Sequence, residues 1–318
     1  MSNSWNQSVR RCRAVVFGRL FASNVTASGK GAELNDWLNE NWNREKRWDD
    51  PVAKSGRLLK GTFPQKELRQ FVIERFPRFK RFLSSPIWLS LSQLSVDQYD
   101  NRFWNSCASA IEINGVSLSR HKSKVMESFA GTGWDWWDRL GLLLMILRSD
   151  DMNFSVHREW IKSNFFAYMC IVFISYPARW VVPRLFGLID EMVRTGVLGD
   201  NPFYYWPSSL DELNYELECY QYAFDKIVLQ RWWWRCKGGE DPSLLLWLLT
   251  EERDALQDLC DDVDKNYRIS AQLRMKWLRA LRVARETNIE FRLEKVGVRG
   301  IPAADKRVVC RFYLEKDW

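Results

Sequence analysis

From Ser209 onward, apolar residues fall at Leu210, Leu213, Leu217, Tyr220, Phe224 and Ile227, a three- and four-residue spacing that a helix gathers on one side. Ser209 and Glu212 stand at capping-box spacing, just after Pro207. Asp211 and Glu212 lie near the start of this segment, and Arg231, Arg235 and Lys237 near its end before Gly238-Gly239, so the charges complement a helix dipole. A long amphipathic helix must bury its stripe against other elements, and the remaining patterns are helical too.

Leu34, Trp37, Leu38 and Trp42 form one helical stripe, and Leu68, Phe71, Val72 and Phe76 another after Pro64. Ser95 offers an N-cap for a segment through Trp104. Gly131-Thr132-Gly133 breaks the chain before the apolar run Trp134 to Leu147, Ser155 caps a segment ended by Pro177, and Pro183 opens another stopped by Gly196. Pro242 opens Leu244 to Leu249, and Glu251 to Val263 reads as a short acidic helix. Ser270 caps Ala271 to about Arg285, with Leu273, Trp277, Ala280, Leu281 and Ala284 on one face. Ile289, Phe291 and Leu293 then alternate with charges, as do Val308, Cys310 and Phe312, which predicts a β-hairpin with a long basic tip. Residues up to about Ala32 show weak periodicity, and no element is assigned to them. The expected fold is mainly α, a multi-helix globular body with a small C-terminal β-hairpin. Its expected regions are a basic helical one over 1–90, an acidic Trp-rich body over 91–264, and a basic helix with hairpin over 265–318.

The net charge of +7 is unevenly spread. Residues 1–90 carry +9, 91–200 carry −1, 201–264 carry −9 and 265–318 carry +8. Basic ends around an acidic middle suggest a polyanion partner, or else ends that pack on the acidic centre or on a second acidic chain. The longest apolar stretch, Phe165 to Ile174, falls short of the roughly 18 to 20 residues that span a bilayer, so no membrane partner is expected. Arginines interrupt the only apolar patch near the start, which argues against a signal peptide and for a cytoplasmic protein. Seven scattered cysteines without a C-x-x-C pair read as reduced core thiols, and two histidines far apart in sequence give no metal pattern. No metal and no cofactor is expected.

The stretch Ser55-Gly56-Arg57-Leu58-Leu59-Lys60-Gly61-Thr62-Phe63-Pro64 before the helical Leu68 to Phe76 resembles the end of a Cro/C1-type helix-turn-helix domain, over about residues 34–83. Its turn is one residue tighter than that family's. The resemblance implies that Arg44, Lys46, Arg47, Lys54, Arg57 and Lys60 approach phosphates or base edges. The same residues also fit a turn between two core helices with a solvated basic face.

The C-terminal helix carries Lys276, Arg279, Arg282 and Arg285 away from its apolar stripe. Followed by a ribbon tipped with Lys295, Arg299, Lys306 and Arg307, it is similar to a winged-helix arrangement, in which one element enters a groove and another rests on the backbone. The alternative is a terminal hairpin packed on the body. Among 18 tryptophans, Trp232, Trp233 and Trp234 spread over about 200° of a helix, so at least one meets a partner, a second domain or stacked bases. Gly56-x4-Gly61-Thr62 imitates a phosphate-binding loop but lacks its lysine. The pairs Asp49-Asp50, Asp150-Asp151 and Asp261-Asp262, and Glu290-Phe291-Arg292, fall short of a nuclease pattern. The expectation is a non-enzymatic, nucleic-acid-associated regulator or complex subunit that holds DNA or RNA through basic termini and binds protein through its body. The alternative is a helical interaction subunit or homo-oligomer, for example in a phage-defence assembly, with no nucleic-acid contact.

Overall fold

The structure is a computed structural model that describes residues 2–292 and 295–296, apart from 43–50, 63, 94–100, 132–134, 176–177, 230–241, 252–255, 257–258 and 261–269. Helix predominates, with one small antiparallel sheet. The chain divides into two compact units, Met1–Tyr99 with Tyr176–Glu191, and Asp100–Ser175 with Met192–Gly300.

The first unit is built on α1 (Ser2–Val25), the element that the sequence does not announce. Every residue from Cys12 to Gly18 is buried, so the helix has no wet side there and no apolar periodicity to read. Packed on it are α2 (Gly31–Asn41), α3 (Pro51–Leu59), α5 (Arg78–Leu83) and α6 (Pro86–Ser90), while α4 (Lys66–Arg75) packs on α5. Phe17 meets Phe79 edge-on at 5.5 Å between ring centroids, and Phe21 meets Trp37 at 5.4 Å. Arg13 is wholly buried and donates to the Leu83 carbonyl, tying α1 to the end of α5. Trp5 Nε1 donates to the Leu91 carbonyl at 2.8 Å, closing the far end.

Gly18 is where α1 and α3 touch. A Cβ there would stand 2.6 Å from the Leu58 carbonyl oxygen, a backbone atom that cannot swing away. Gly61, in the turn after α3, has φ +97°, and a Cβ would meet Val15 and Arg11 of α1 at 2.8–2.9 Å.

The second unit surrounds α8 (Asp135–Arg148), in which all residues but Asp135 and Asp138 are buried. α7 (Arg102–Ser109) and α9 (Ser155–Ile174) flank it, with the Arg148 guanidinium 3.6 Å above the Trp104 ring. α10 (Val182–Arg194) belongs to the first unit as far as Glu191, and the second unit resumes at Met192, just before a turn with Gly196 at φ +72°. Helix α11 (Leu210–Leu229) starts as its capping residues require: Glu212 N donates to Ser209 Oγ at 3.2 Å, and the Glu212 carboxylate takes Ser208 N at 2.6 Å. α12 (Pro242–Glu251) is contacted by α9, α11 and α13 (Ala271–Glu286), which is why Leu244, Leu245, Leu246 and Leu249 are buried. Ser270 Oγ caps α13 by accepting from Leu273 N at 3.0 Å. No helix among the described residues is long and apolar enough to cross a membrane.

The sheet has the order β2-β1-β3, with β1 (Ile111–Ile113), β2 (Val116–Ser117) and β3 (Ile289–Phe291). Asn114 and Gly115, at φ 51° and 79°, make the tight turn joining β1 to β2. The C-terminal strand pairs with β1, Ile111 opposite Phe291 and Ile113 opposite Ile289. The second arm expected at Val308, Cys310 and Phe312 lies outside the described residues.

Replacing Gly18 with Ala should destabilise the protein by about 1–3 kcal/mol in urea unfolding, because the clash outweighs the roughly 1 kcal/mol that alanine returns in helix propensity. An unchanged midpoint would mean that α1 and α3 separate at no cost.

Candidate functional site: a basic cleft beside α13

A cleft of about 620 Å³ opens in the second unit where four elements meet. One wall is α13, bringing Lys276 and Arg279 one turn apart. Another wall is the 3-10 segment Ser123–Phe129, bringing Lys124, Val125 and Glu127, with His121 just before it, and Glu251 at the end of α12 adds a second carboxylate. The floor includes Trp247 and Leu248 of α12, and the end is closed by Asn114 of the hairpin turn and Thr287. That end is tied, since Asn114 N donates to the Asn288 carbonyl at 2.9 Å and Asn288 N to Asn114 Oδ1 at 2.8 Å.

The 3-10 wall is held by buried donors from behind. Arg139 Nη1 donates to the Ser128 carbonyl at 2.9 Å and the Ala130 carbonyl at 3.0 Å, while its Nη2 pairs with Asp135 at 3.4 Å. Tyr168 Oη donates to the Phe129 carbonyl between them at 3.0 Å. Burial pushes the Tyr168 hydroxyl far up in pKa, so it stays a donor throughout the working pH range. Three successive carbonyls that would otherwise be orphans at the end of a short helix are thus satisfied inside the core.

On α13, Leu273, Trp277, Leu281 and Ala284 are buried, and Arg274, Lys276, Arg279, Arg282 and Arg285 are exposed. No carboxylate interrupts these five cations before Glu286. Among the described residues, Arg274, Arg279, Arg282, Lys124 and Glu127 make no ion pair. The structure therefore brings the expected Lys276 and Arg279 together with Lys124, His121 and Glu127, which reasoning from sequence passed over. No local signal marks those three, because α12 and the sheet create the neighbourhood.

The two histidines also meet. His157 is fully buried on α9 near the backbone of His121 and Asn153, and burial holds its imidazole below the ordinary range. No group of three or more metal-ligating side chains occurs among the described residues. Cys12, Cys107 and Cys170 are buried, with thiols pushed up by burial, Cys12 to about 12.

The remaining expected positions divide by place. Arg57 and Lys60 are exposed at the end of α3, Lys54 lies on α3 by its backbone, and Arg44, Lys46 and Arg47 lie outside the described residues. Trp232, Trp233, Trp234, Arg299, Lys306 and Arg307 lie outside them as well. Gly56 sits within α3, so the phosphate-loop spacing has no loop to form. Asp150 accepts from Asn105 at 2.7 Å and Asn101 at 3.0 Å, and Asp151 caps Asn153, so this acidic pair has structural partners. Lys295 donates to the buried Glu112 on β1, and Arg292 pairs with both Glu112, at 2.9 Å, and Glu290, at 2.8 Å. The faint nuclease pattern is thus a saturated ion cluster across the sheet. No protein family, no curated protein and no solved structure matches this chain.

Two variants test these anchors. Arg139→Met leaves buried carbonyls without charged donors and should cost about 3–5 kcal/mol in denaturant unfolding. Lys295 first and then Arg292 hold the Glu112 carboxyl below its ordinary 4.5. The folded state thus favours the ionised form, and its contribution is full above that ordinary value and lost as pH falls through the depressed one. Glu112→Gln should lower the melting temperature at pH 7, with the gap closing towards pH 3. A pH-independent gap would contradict this role.

Proposed function

We propose that the protein is a non-enzymatic nucleic-acid-binding subunit that engages DNA or RNA through the exposed basic face of α13 and the cleft beside it. The observation that carries the reading is the row of exposed Arg274, Arg279 and Arg282 on α13, with Arg279 and Lys124 lining one cleft. Arg274, Arg279, Arg282 and Lys124 make no ion pair among the described residues, and guanidinium and ammonium groups of this kind bind phosphates and release condensed counterions. Arg57 and Lys60 would be a second contact, in keeping with the helix-turn-helix resemblance.

The acidic body would then face protein. On α11, Asp211, Tyr215, Glu218, Tyr222, Asp225 and Leu229 form an exposed stripe, with Tyr215 and Leu229 exposed to 67% and 71%. That stripe also favours the second reading, a protein-interaction subunit that never touches nucleic acid.

A salt titration of binding to an unrelated duplex and to a single strand separates the two. The proposal expects binding at about 50 mM salt with log affinity falling linearly in log salt. Arg279→Glu with Arg282→Glu should weaken it and make the slope shallower by roughly 2. Absence of binding at that salt would leave the protein-interaction reading standing.

A further inference from the structure

We propose that the cleft receives one unpaired nucleotide of a single-stranded nucleic acid, with its base inward and its phosphates at the rim. This rests on the nucleic-acid reading above and names the form of substrate that reading would take.

Size gives the first reason. About 620 Å³ falls within the range of sites for single small molecules, about 300–1,000 Å³. A duplex keeps its bases stacked and paired, so only an unstacked nucleotide can enter a cleft of this kind. The cations give the second reason. Lys124 and Arg279 line the cleft from two different elements, so phosphates flanking an inserted base have two positive charges to meet. The interior gives the third. Val125, Leu248, Ala280 and Val283 supply apolar surface for a base face, and Glu127 adds a carboxylate that accepts from an exocyclic amino group. Cytosine, adenine and guanine carry such a group. Thymine and uracil lack it and offer the same carboxylate only their N3–H, flanked by two carbonyl oxygens that a carboxylate disfavours. Glu127 and Glu251, the two carboxylates that line the cleft, disfavour a phosphate within it, which favours an orientation with the base in and the backbone out.

The test uses the full chain and fluorescence anisotropy at about 50 mM salt with labelled oligo-dC, oligo-dT, oligo-rC and a duplex of matched length. Oligo-dC should bind at least about fivefold tighter than oligo-dT and than the duplex, the low end of what one well-placed base contact supplies. Oligo-rC shows whether the ribose is tolerated, and binding it as tightly as oligo-dC supports a site that reads the base. Val283→Trp fills the cleft at a position already 38% exposed and leaves every charge in place. It should bring oligo-dC down to the affinity of the duplex. Glu127→Gln, at an exposed position, should erase the preference for cytosine over thymine with the fold intact. If duplex and single strands bind equally and neither variant discriminates between them, the cleft is overturned as a nucleotide site while the basic helix stands. If nothing binds, the nucleic-acid reading falls with it.

Discussion

Arg139 holds together what the candidate site depends on. It sits in the middle of a helix that is otherwise dry, and a charge in such a place persists only when its donors are used. They are used on the carbonyls of Ser128 and Ala130, with Tyr168 taking the Phe129 carbonyl between them. A short 3-10 segment has too few internal hydrogen bonds to keep its own shape. Anchored from the core, it becomes a fixed wall that carries Lys124 and Glu127 at a set distance from α13. Gly131 fits the same scheme, since a Cβ there would stand 3.0 Å from Asp135 and 3.1 Å from the Arg139 guanidinium.

The α13 wall is fixed differently. α13 is held by an apolar stripe, Leu273, Trp277, Leu281 and Ala284, against α12, so its polar side is free to carry charge. α12 in turn is packed on three sides and places Trp247 among Trp136, Trp160 and Tyr168, with centroids 5.7–6.0 Å apart. One wall is set by buried polar bonds and the other by hydrophobic burial. The cleft lies between two rigid surfaces, which is what positioning a ligand group requires.

How much of this the sequence announces depends on the kind of signal each element carries. α11 and α13 are legible because each has one wet face and a serine at its start, so periodicity and capping agree. α1 is invisible because burial all round removes the contrast that periodicity needs. The β1–β2 hairpin had a signal in Asn114-Gly115, but strands of three and two residues are too short to show alternation. Charge patterning picked out the exposed cations of α13. It could not tell these from Lys295, whose partner Glu112 is far away in the chain and reaches it only through the pairing of β1 with β3. The cleft was out of reach for the same reason, since His121 and Lys124 meet Lys276 and Arg279 only through the fold.

The central claim is that the basic face of α13 and the 3-10 wall touch nucleic acid. Photo-crosslinking of the full chain to a single strand carrying a photoreactive base, followed by mass spectrometry of the peptides, tests this most directly. The account predicts crosslinked peptides from residues 120–130 and 271–286. Crosslinks confined to other segments, or none in a complex that forms, would contradict it.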